Sequence, residues 1–133
     1  MPLILSLETA TTVCSVAITK GKEIVAERKL YEDKSHANQL TLIIEELIQS
    51  AGLKMSEVQA VAVSEGPGSY TGLRIGLSTA KGLCYALGVP LIGISTLEAM
   101  ALEVSMNNPG NHWLCPMIDA RRMEVYTALY SPT

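Results

Sequence analysis

The sequence is poor in aromatic residues and in metal-binding side chains. It contains no phenylalanine, one tryptophan and two histidines, and aromatic residues make up 5% of the chain. The histidines, His36 and His112, are far apart, and neither lies on a predicted helix face with a second ligand three or four residues further on. A catalytic zinc site uses such closely spaced ligands. We therefore predict no metal site.

Basic residues are also scarce. Ten Lys and Arg stand against 13 Asp and Glu, which gives a net charge of −3, and the basic residues are scattered along the chain. Proteins that grip nucleic acid directly usually present a clustered basic patch. We therefore expect any contact with RNA to be indirect.

Long hydrophobic runs and paired cysteines are missing as well. The first ten residues contain only a short apolar run without a basic segment before it, so we expect neither a signal peptide nor a membrane span. Cys14, Cys84 and Cys115 lie far apart in apolar runs. Unpaired cysteines of this kind are typical of buried thiols in a reducing compartment, which predicts a cytoplasmic protein.

What the chain does contain is an alternation of strand and helix patterns. Three strand-like runs come first, and three helices then alternate with two buried strands, in the order βββαβαβα. This order predicts an α/β fold with a mixed five-stranded sheet and flanking helices. A final strand pair predicts that residues 1–110 form one domain and that 111–133 begin a second, similar one. The predicted strands are 3–7, 13–18, 23–31, 58–63, 91–94, 112–118 and 123–130, and the helices begin at 35, 71 and 95, with Thr71 and Thr96 as N-caps and Gly52 and Gly88 as C-terminal glycines.

A glycine-rich loop, SEGPGSYTGLRIG at residues 64–76, follows the fourth strand. Its spacing is G-x-G-x-x-x-G, which is neither the dinucleotide fingerprint nor a P-loop, because no Gly-Lys-Ser/Thr follows. Two interpretations stay open: a tight loop that packs a helix closely, or a backbone cradle for a nucleotide. The weak candidates for cofactor binding are Thr9, Thr11 and Thr12 in the first turn and Gly66 and Gly68 in the loop.

The second helix is apolar or small over roughly 220° of its circumference, whereas a helix packed on one side needs little more than 100°. Only Arg74, Ser78, Lys81 and Tyr85 form a polar strip. We place Leu73, Leu77, Ala80, Cys84 and Leu87 on the core side. The remaining small and apolar positions predict a helix-packing surface, covered either by the third helix or by a partner chain.

Three stretches together resemble one protein family. ILSLETAT at residues 4–11, the loop at 64–76 and IDARRMEVY at 118–126 are similar to the TsaB family, also called YeaZ. The resemblance implies an actin-like ATPase fold, ribonuclease H-like, of the sugar kinase and heat-shock protein superfamily. Members of that family are longer and complete a second domain.

The resemblance also implies a function. TsaB-like proteins act in forming N6-threonylcarbamoyladenosine at position 37 of ANN-decoding tRNAs, as non-catalytic partners of the paralogue TsaD, alongside the small ATPase TsaE. They form homodimers when alone, and ATP or ADP is expected only at a partner interface. By analogy the partner-binding residues are Leu42, Ile75, Gly76, Thr79, Gly82, Leu83 and Ala86.

The catalytic paralogue carries an H-x-x-x-H metal pair on its first helix. In this sequence the matching residues are His36 and Leu40, so one of the two ligands is missing. Labels such as glycoprotease or M22 peptidase therefore gain no support, and the chain is predicted not to be an enzyme. Two alternatives stay open: an ATPase or kinase fragment that uses the threonine turn and the glycine loop, and a self-associating structural module.

Overall fold

The computed structural model of the chain describes residues 1–11, 13–30, 37–108 and 110–132. Within these ranges the predicted order of strands and helices is confirmed. The chain forms β1 (Leu3–Glu8), β2 (Cys14–Lys20), β3 (Glu23–Leu30), α1 (Ala37–Ser50), a 3₁₀ turn (Met55–Glu57), β4 (Ala60–Gly66), α2 (Tyr70–Leu87), β5 (Leu91–Ser95), α3 (Thr96–Asn107), β6 (Met117–Arg121) and β7 (Glu124–Thr127).

The first five strands form one mixed sheet in the order β3-β2-β1-β4-β5. β1, β2 and β3 are antiparallel neighbours, while β1 pairs in parallel with β4, and β4 with β5. The parallel pairs follow from the helical connections, because a crossover helix returns the chain to the same end of the sheet. The carboxyl ends of β1, β4 and β5 therefore lie side by side.

The core lies between this sheet and the first two helices. Residues alternate between buried and half-buried along β1 and β2, as expected when one face of the sheet is covered. On α1 the buried positions recur at helical spacing, as the sequence predicts. α3 packs against β4 and β5 instead, with Leu97 and Ala101 buried outside this main cluster. The side chains at the centre of the core are Leu5, Val16, Ile18, Leu40, Ile44, Val61 and Val63.

α1 and α2 end at the predicted glycines, but the N-caps of α2 and α3 are not the predicted residues. Gly88 has φ 67° and closes α2 in the left-handed conformation that glycine favours. At the other end Ser69, not Thr71, is the N-cap, since its hydroxyl accepts a hydrogen bond from the Gly72 N–H. Ser95 caps α3 in the same way, so the prediction of Thr96 was wrong too. Ser69, two residues before Thr71, and Ser95, directly before Thr96, both have the extended backbone that capping requires.

The cap of α2 can be tested with two neighbouring substitutions. Ser69→Ala removes the acceptor for the Gly72 N–H, and we expect it to lower the free energy of unfolding by about 1 kcal/mol. Thr71→Ala, two residues further on, serves as the control and should leave stability unchanged or slightly higher. Urea denaturation followed by circular dichroism measures both. A larger loss for Thr71→Ala would contradict the assignment.

The last strands are shorter than predicted and form a separate two-stranded sheet. The turn lies at Arg122 and Met123, which both have positive φ, rather than beginning at Asp119. Beyond the hairpin, Leu114 and Tyr130 form an isolated antiparallel bridge. None of the side chains described between 111 and 132 is buried, so no layer of described residues covers the apolar run that predicted a longer strand. The division of the chain into two domains at residue 110 stays a prediction.

The three cysteines are free, but they differ in burial. Cys14 is buried, Cys84 is half-buried and Cys115 is exposed. The expectation that all three lie in the interior was therefore wrong for Cys115, which follows α3 and precedes the exposed hairpin.

Among the helices in the described ranges, none combines the length and the apolar character that a membrane crossing requires.

Candidate functional site

The glycine loop is held by the turn between β1 and β2. The Ser69 N–H donates to the Ala10 carbonyl at 2.7 Å, and the Thr9 hydroxyl donates to the Gly72 carbonyl at 2.6 Å. The Ala10 N–H in turn donates to the Glu8 carboxylate at 3.0 Å. These polar groups of the turn therefore form their hydrogen bonds within the chain.

Three glycines at intervals of four residues accommodate this turn. A Cβ atom on Gly68 would lie 2.7 Å from the Cβ of Ala10, and one on Gly72 or Gly76 would collide with Thr9. Gly72 and Gly76 are one helical turn apart and line the same side of the start of α2, and Gly68 lies in the loop directly before the Ser69 cap. The close approach of the turn to α2 therefore requires glycine, and this supports the interpretation of the loop as a packing device.

The candidates for cofactor binding are not equally accessible in this arrangement. Thr9 is only 1% exposed and its hydroxyl is used by Gly72, whereas Thr11 is exposed. Gly68 packs against Ala10, and Gly66 ends β4. Thr12 lies outside the described residues, as does His36. Binding of a nucleotide by these residues stays a prediction.

A pair of glycine substitutions tests the close contact. We expect Gly72→Ala to lower the free energy of unfolding by about 1–2 kcal/mol, because the new methyl group must displace the Thr9 backbone. Gly82→Ala, in the same helix, meets nothing within 4 Å and should raise stability by about 0.5–1 kcal/mol through helix propensity. Thermal and urea denaturation at low protein concentration measure both. Equal effects would contradict the packing role of Gly72.

A second polar cluster joins the ends of two parallel strands. The Ser64 hydroxyl on β4 donates a hydrogen bond to the Glu8 carboxylate on β1. Burial raises the pKa of the nearby Cys14 thiol, and the negative charge of Glu8 raises it further. This pair was not predicted from the sequence. The parallel pairing of β1 and β4, which brings the ends of the two strands together, is the signal that could have indicated it. Across the described ranges, no three His, Cys, Asp or Glu side chains gather as metal ligands would.

The core side of α2 differs from the predicted stripe. Its buried residues are Gly72, Gly76 and Ala80, whereas Leu73, Leu77, Cys84 and Leu87 are half-buried. Because glycine has no side chain, α2 lies closer to the sheet at these positions than leucines would allow. The buried face of the helix therefore passes through the glycines and not through the leucines. The polar strip is exposed as expected: Arg74, Ser78, Lys81 and Tyr85 all face away from the core, and Tyr85 is 93% exposed.

Most of the predicted partner-binding residues lie on the outer surface of α1 and α2. Leu42 is 56% exposed and Ala86 is also exposed. Ile75 and Leu83 are half-buried against the main core, and α2 packs against α1, while α3 packs against β4 and β5. Gly76 is the exception, since it is buried against Thr9 and does not form part of the exposed surface.

A groove of about 290 Å³ runs between the two helices. Gly82 forms part of its wall, and the space where a side chain would project from Gly82 is open. A second hollow of about 320 Å³ lies beside it on α2. The surface made by these two helices is named the α1–α2 surface below. The groove is lined by Thr41, Ile44, Glu45, Met55, Ser78, Thr79, Gly82 and Leu83.

Comparisons of the fold define the class of protein. A hexokinase of the ROK type from Thermus thermophilus superposes on 98% of this chain with a TM-score of 0.59 at 14% identity, which shows a common fold. The chain therefore has the actin-like ATPase fold that the sequence predicted.

Closer similarities define the family. YeaZ from Pseudomonas aeruginosa superposes with a TM-score of 0.87 at 33% identity, over 98% of this chain and 61% of that protein. Residues 23–132 match the family model for TsaD, tRNA N6-adenosine threonylcarbamoyltransferase. The chain belongs to the TsaB/YeaZ family within the wider family that this model describes.

Relatives of known name support the same assignment. The tRNA threonylcarbamoyladenosine biosynthesis protein TsaB from Escherichia coli K12 is 36% identical over 127 residues, which cover 96% of this chain and 54% of that protein. The TsaB protein from Bacillus subtilis 168 is 32% identical over 130 residues, with the same coverage. The chain thus spans about half the length of these curated relatives.

Proposed function

We propose that this chain is a non-catalytic scaffold in the formation of N6-threonylcarbamoyladenosine on ANN-decoding tRNAs, where it binds and activates a TsaD-like partner. The observation that carries the proposal is the α1–α2 surface, with exposed Leu42 on one helix and Gly82 open on the other. The names of its relatives support the pathway.

The packing of Gly82 supports a role in close helix contact. An exposed glycine in the middle of a helix costs about 1 kcal/mol relative to alanine, and among the described residues no neighbouring element comes close enough to require one at this position. Close approach of the backbone of a partner helix would explain why this position is glycine, although the fold itself does not need one there. The half-buried apolar side chains of Ile75 and Leu83 line the same side of the helix and would add area to such a contact.

The use of the first turn within the chain supports the non-catalytic part of the proposal. The Thr9 hydroxyl and the Ala10 N–H, which could otherwise meet a phosphate, donate to acceptors of the chain itself. In this proposal a TsaE-like ATPase joins the pair, tRNA is contacted through the partners, and ATP or ADP binds only where partners meet. The chain forms a homodimer when alone.

Capture by a TsaD-like protein tests the scaffold role. We expect Gly82→Leu to weaken capture by at least about tenfold, because the leucine fills the space into which a partner helix must move. The monomer should stay folded, since in the described part of the chain the added Cβ would have no atom of another element within 4 Å. The control is Ser105→Leu, which places the same side chain on the exposed part of α3. Undiminished capture by the Gly82 variant would contradict the assigned surface.

Turnover of Mg-ATP separates this proposal from an ATPase or kinase fragment. We expect the isolated chain to hydrolyse no more ATP than its Glu8→Gln variant, because the groups around Glu8 hold the loop rather than an open site. Steady-state release of inorganic phosphate measures both proteins. Turnover that disappears in the Glu8 variant would favour the enzyme and overturn the scaffold.

A further inference from the structure

The polar strip along α2 differs in composition from the rest of the chain. It consists of Arg74, Ser78, Lys81 and Tyr85, and Tyr70 extends it by one turn toward the start of the helix. α2 contains no acidic residue, although the whole chain carries a net charge of −3. Tyr70 is 75% exposed and Tyr85 is 93% exposed. Because tyrosine and arginine are both enriched where proteins bind one another, the strip is a candidate binding face.

The two cations of the strip are not neutralised within the chain. In the part of the chain that the structure describes, neither Arg74 nor Lys81 forms an ion pair. The Arg74 guanidinium lies over the Tyr70 ring, 5.5 Å from its centroid, which orients the cation without removing its charge. Arg74 and Lys81 are two helical turns apart, or about 10 Å along the axis. A ligand with two negative groups at this spacing can meet both cations at once.

The hollow of about 320 Å³ on α2 lies beside the first of these cations. The described residues that line it are Thr71, Arg74, Ile75, Ser78 and Thr79. Hydrogen bonds among the described residues use none of the three hydroxyl groups in this wall. A guanidinium and hydroxyl groups all donate hydrogen bonds to a carboxylate, and no described wall residue is acidic. The hollow is therefore suited to receive one carboxylate group.

The charges around the strip favour a protein segment over a nucleic acid. A nucleic acid carries a negative charge on every nucleotide, and its affinity depends on how many cations it meets. The strip offers two, and exposed Glu45 of α1 lines the groove next to it. A continuous polyanion that crosses this groove would meet the like charge of Glu45. A protein segment carries its carboxylates only at certain positions and avoids this repulsion.

We propose that an acidic helical segment of a partner protein binds along the polar strip, with one carboxylate in the hollow at Arg74 and a second at Lys81. Carboxylates two turns apart on one face of a helix match the spacing of these cations. Tyr70 and Tyr85 lie at the two ends of the strip, where their exposed rings contact apolar atoms of the segment.

The strip acts mainly on the choice and orientation of the partner, because exposed ion pairs contribute at most about 1 kcal/mol each. The inference goes beyond the proposed function. A TsaD-like partner uses the groove at Gly82, whereas the acidic segment uses the strip beside that groove.

Titration with an acidic peptide at low ionic strength tests the inference. The probe is a helical peptide of alanine and glutamine, about 16 residues long, with two glutamates two turns apart on one face. We expect it to shift the backbone amide NMR signals of the strip with a Kd in the millimolar range, because the contact is exposed. Arg74→Glu/Lys81→Glu should weaken binding by at least about tenfold, and added salt should weaken binding to the wild type.

Lys20→Glu/Lys22→Glu is the matched control, since it changes the net charge by the same amount at the exposed end of β2 and the turn after it. It should alter binding of the peptide by less than about twofold. Circular dichroism checks that each variant is folded. An equal loss in the control, or a peptide that leaves the signals of the strip in place, would overturn the inference. So would equal binding of a peptide with glutamine in place of both glutamates.

A short oligouridylate with two phosphates distinguishes the other class of ligand. If it shifts the same signals at lower concentration than the peptide, the strip is a nucleic-acid site and the inference is wrong. The outcome is also separate from that of the scaffold proposal, because the titration needs no TsaD-like protein. Capture that depends on Gly82, together with a strip that does not bind the peptide, overturns only the inference drawn from the strip.

Discussion

The structure depends on how closely the turn at Thr9 and Ala10 approaches the beginning of α2. Two hydrogen bonds join the turn to the loop and to the helix, and Gly68, Gly72 and Gly76 leave room for its atoms. This contact links β1, at the centre of the sheet, to α2. Since a helix is rigid over its length, fixing one end against the sheet also fixes the direction of its outer surface.

The same contact determines which groups are available for chemistry. In many α/β proteins a turn of this kind, next to a helix N-terminus, binds phosphate through its backbone amides. Here the turn donates to its own chain through the Thr9 hydroxyl and the Ala10 N–H, and Glu8 accepts from Ala10 and Ser64. The polar groups thus stabilise the position of the helix, and the proposed function places the activity of the protein on the helix surface instead.

The α1–α2 surface combines two properties that bear on association with a partner. It has an open glycine beside a groove, and the charged residues of α1 are acidic whereas those of α2 are basic. Apolar contact supplies most of the free energy in an association of this kind, while charges mainly influence orientation and choice of partner. In the proposed function, apolar contacts on this surface bind the partner and the charges influence its orientation.

Local pattern by itself determined the order of strands and helices, the glycine ends of α1 and α2 and the exposed strip with Arg74 and Lys81, because hydrophobic periodicity depends only on neighbouring residues. Tertiary structure alone decided that Gly76 is buried against Thr9, that Glu8 meets Ser64 and that Cys115 is exposed. Thr9 and Ser64 each contact residues more than 50 positions away in the sequence. Such contacts depend on which strands become neighbours and on what covers them, and no periodicity within one segment contains that information.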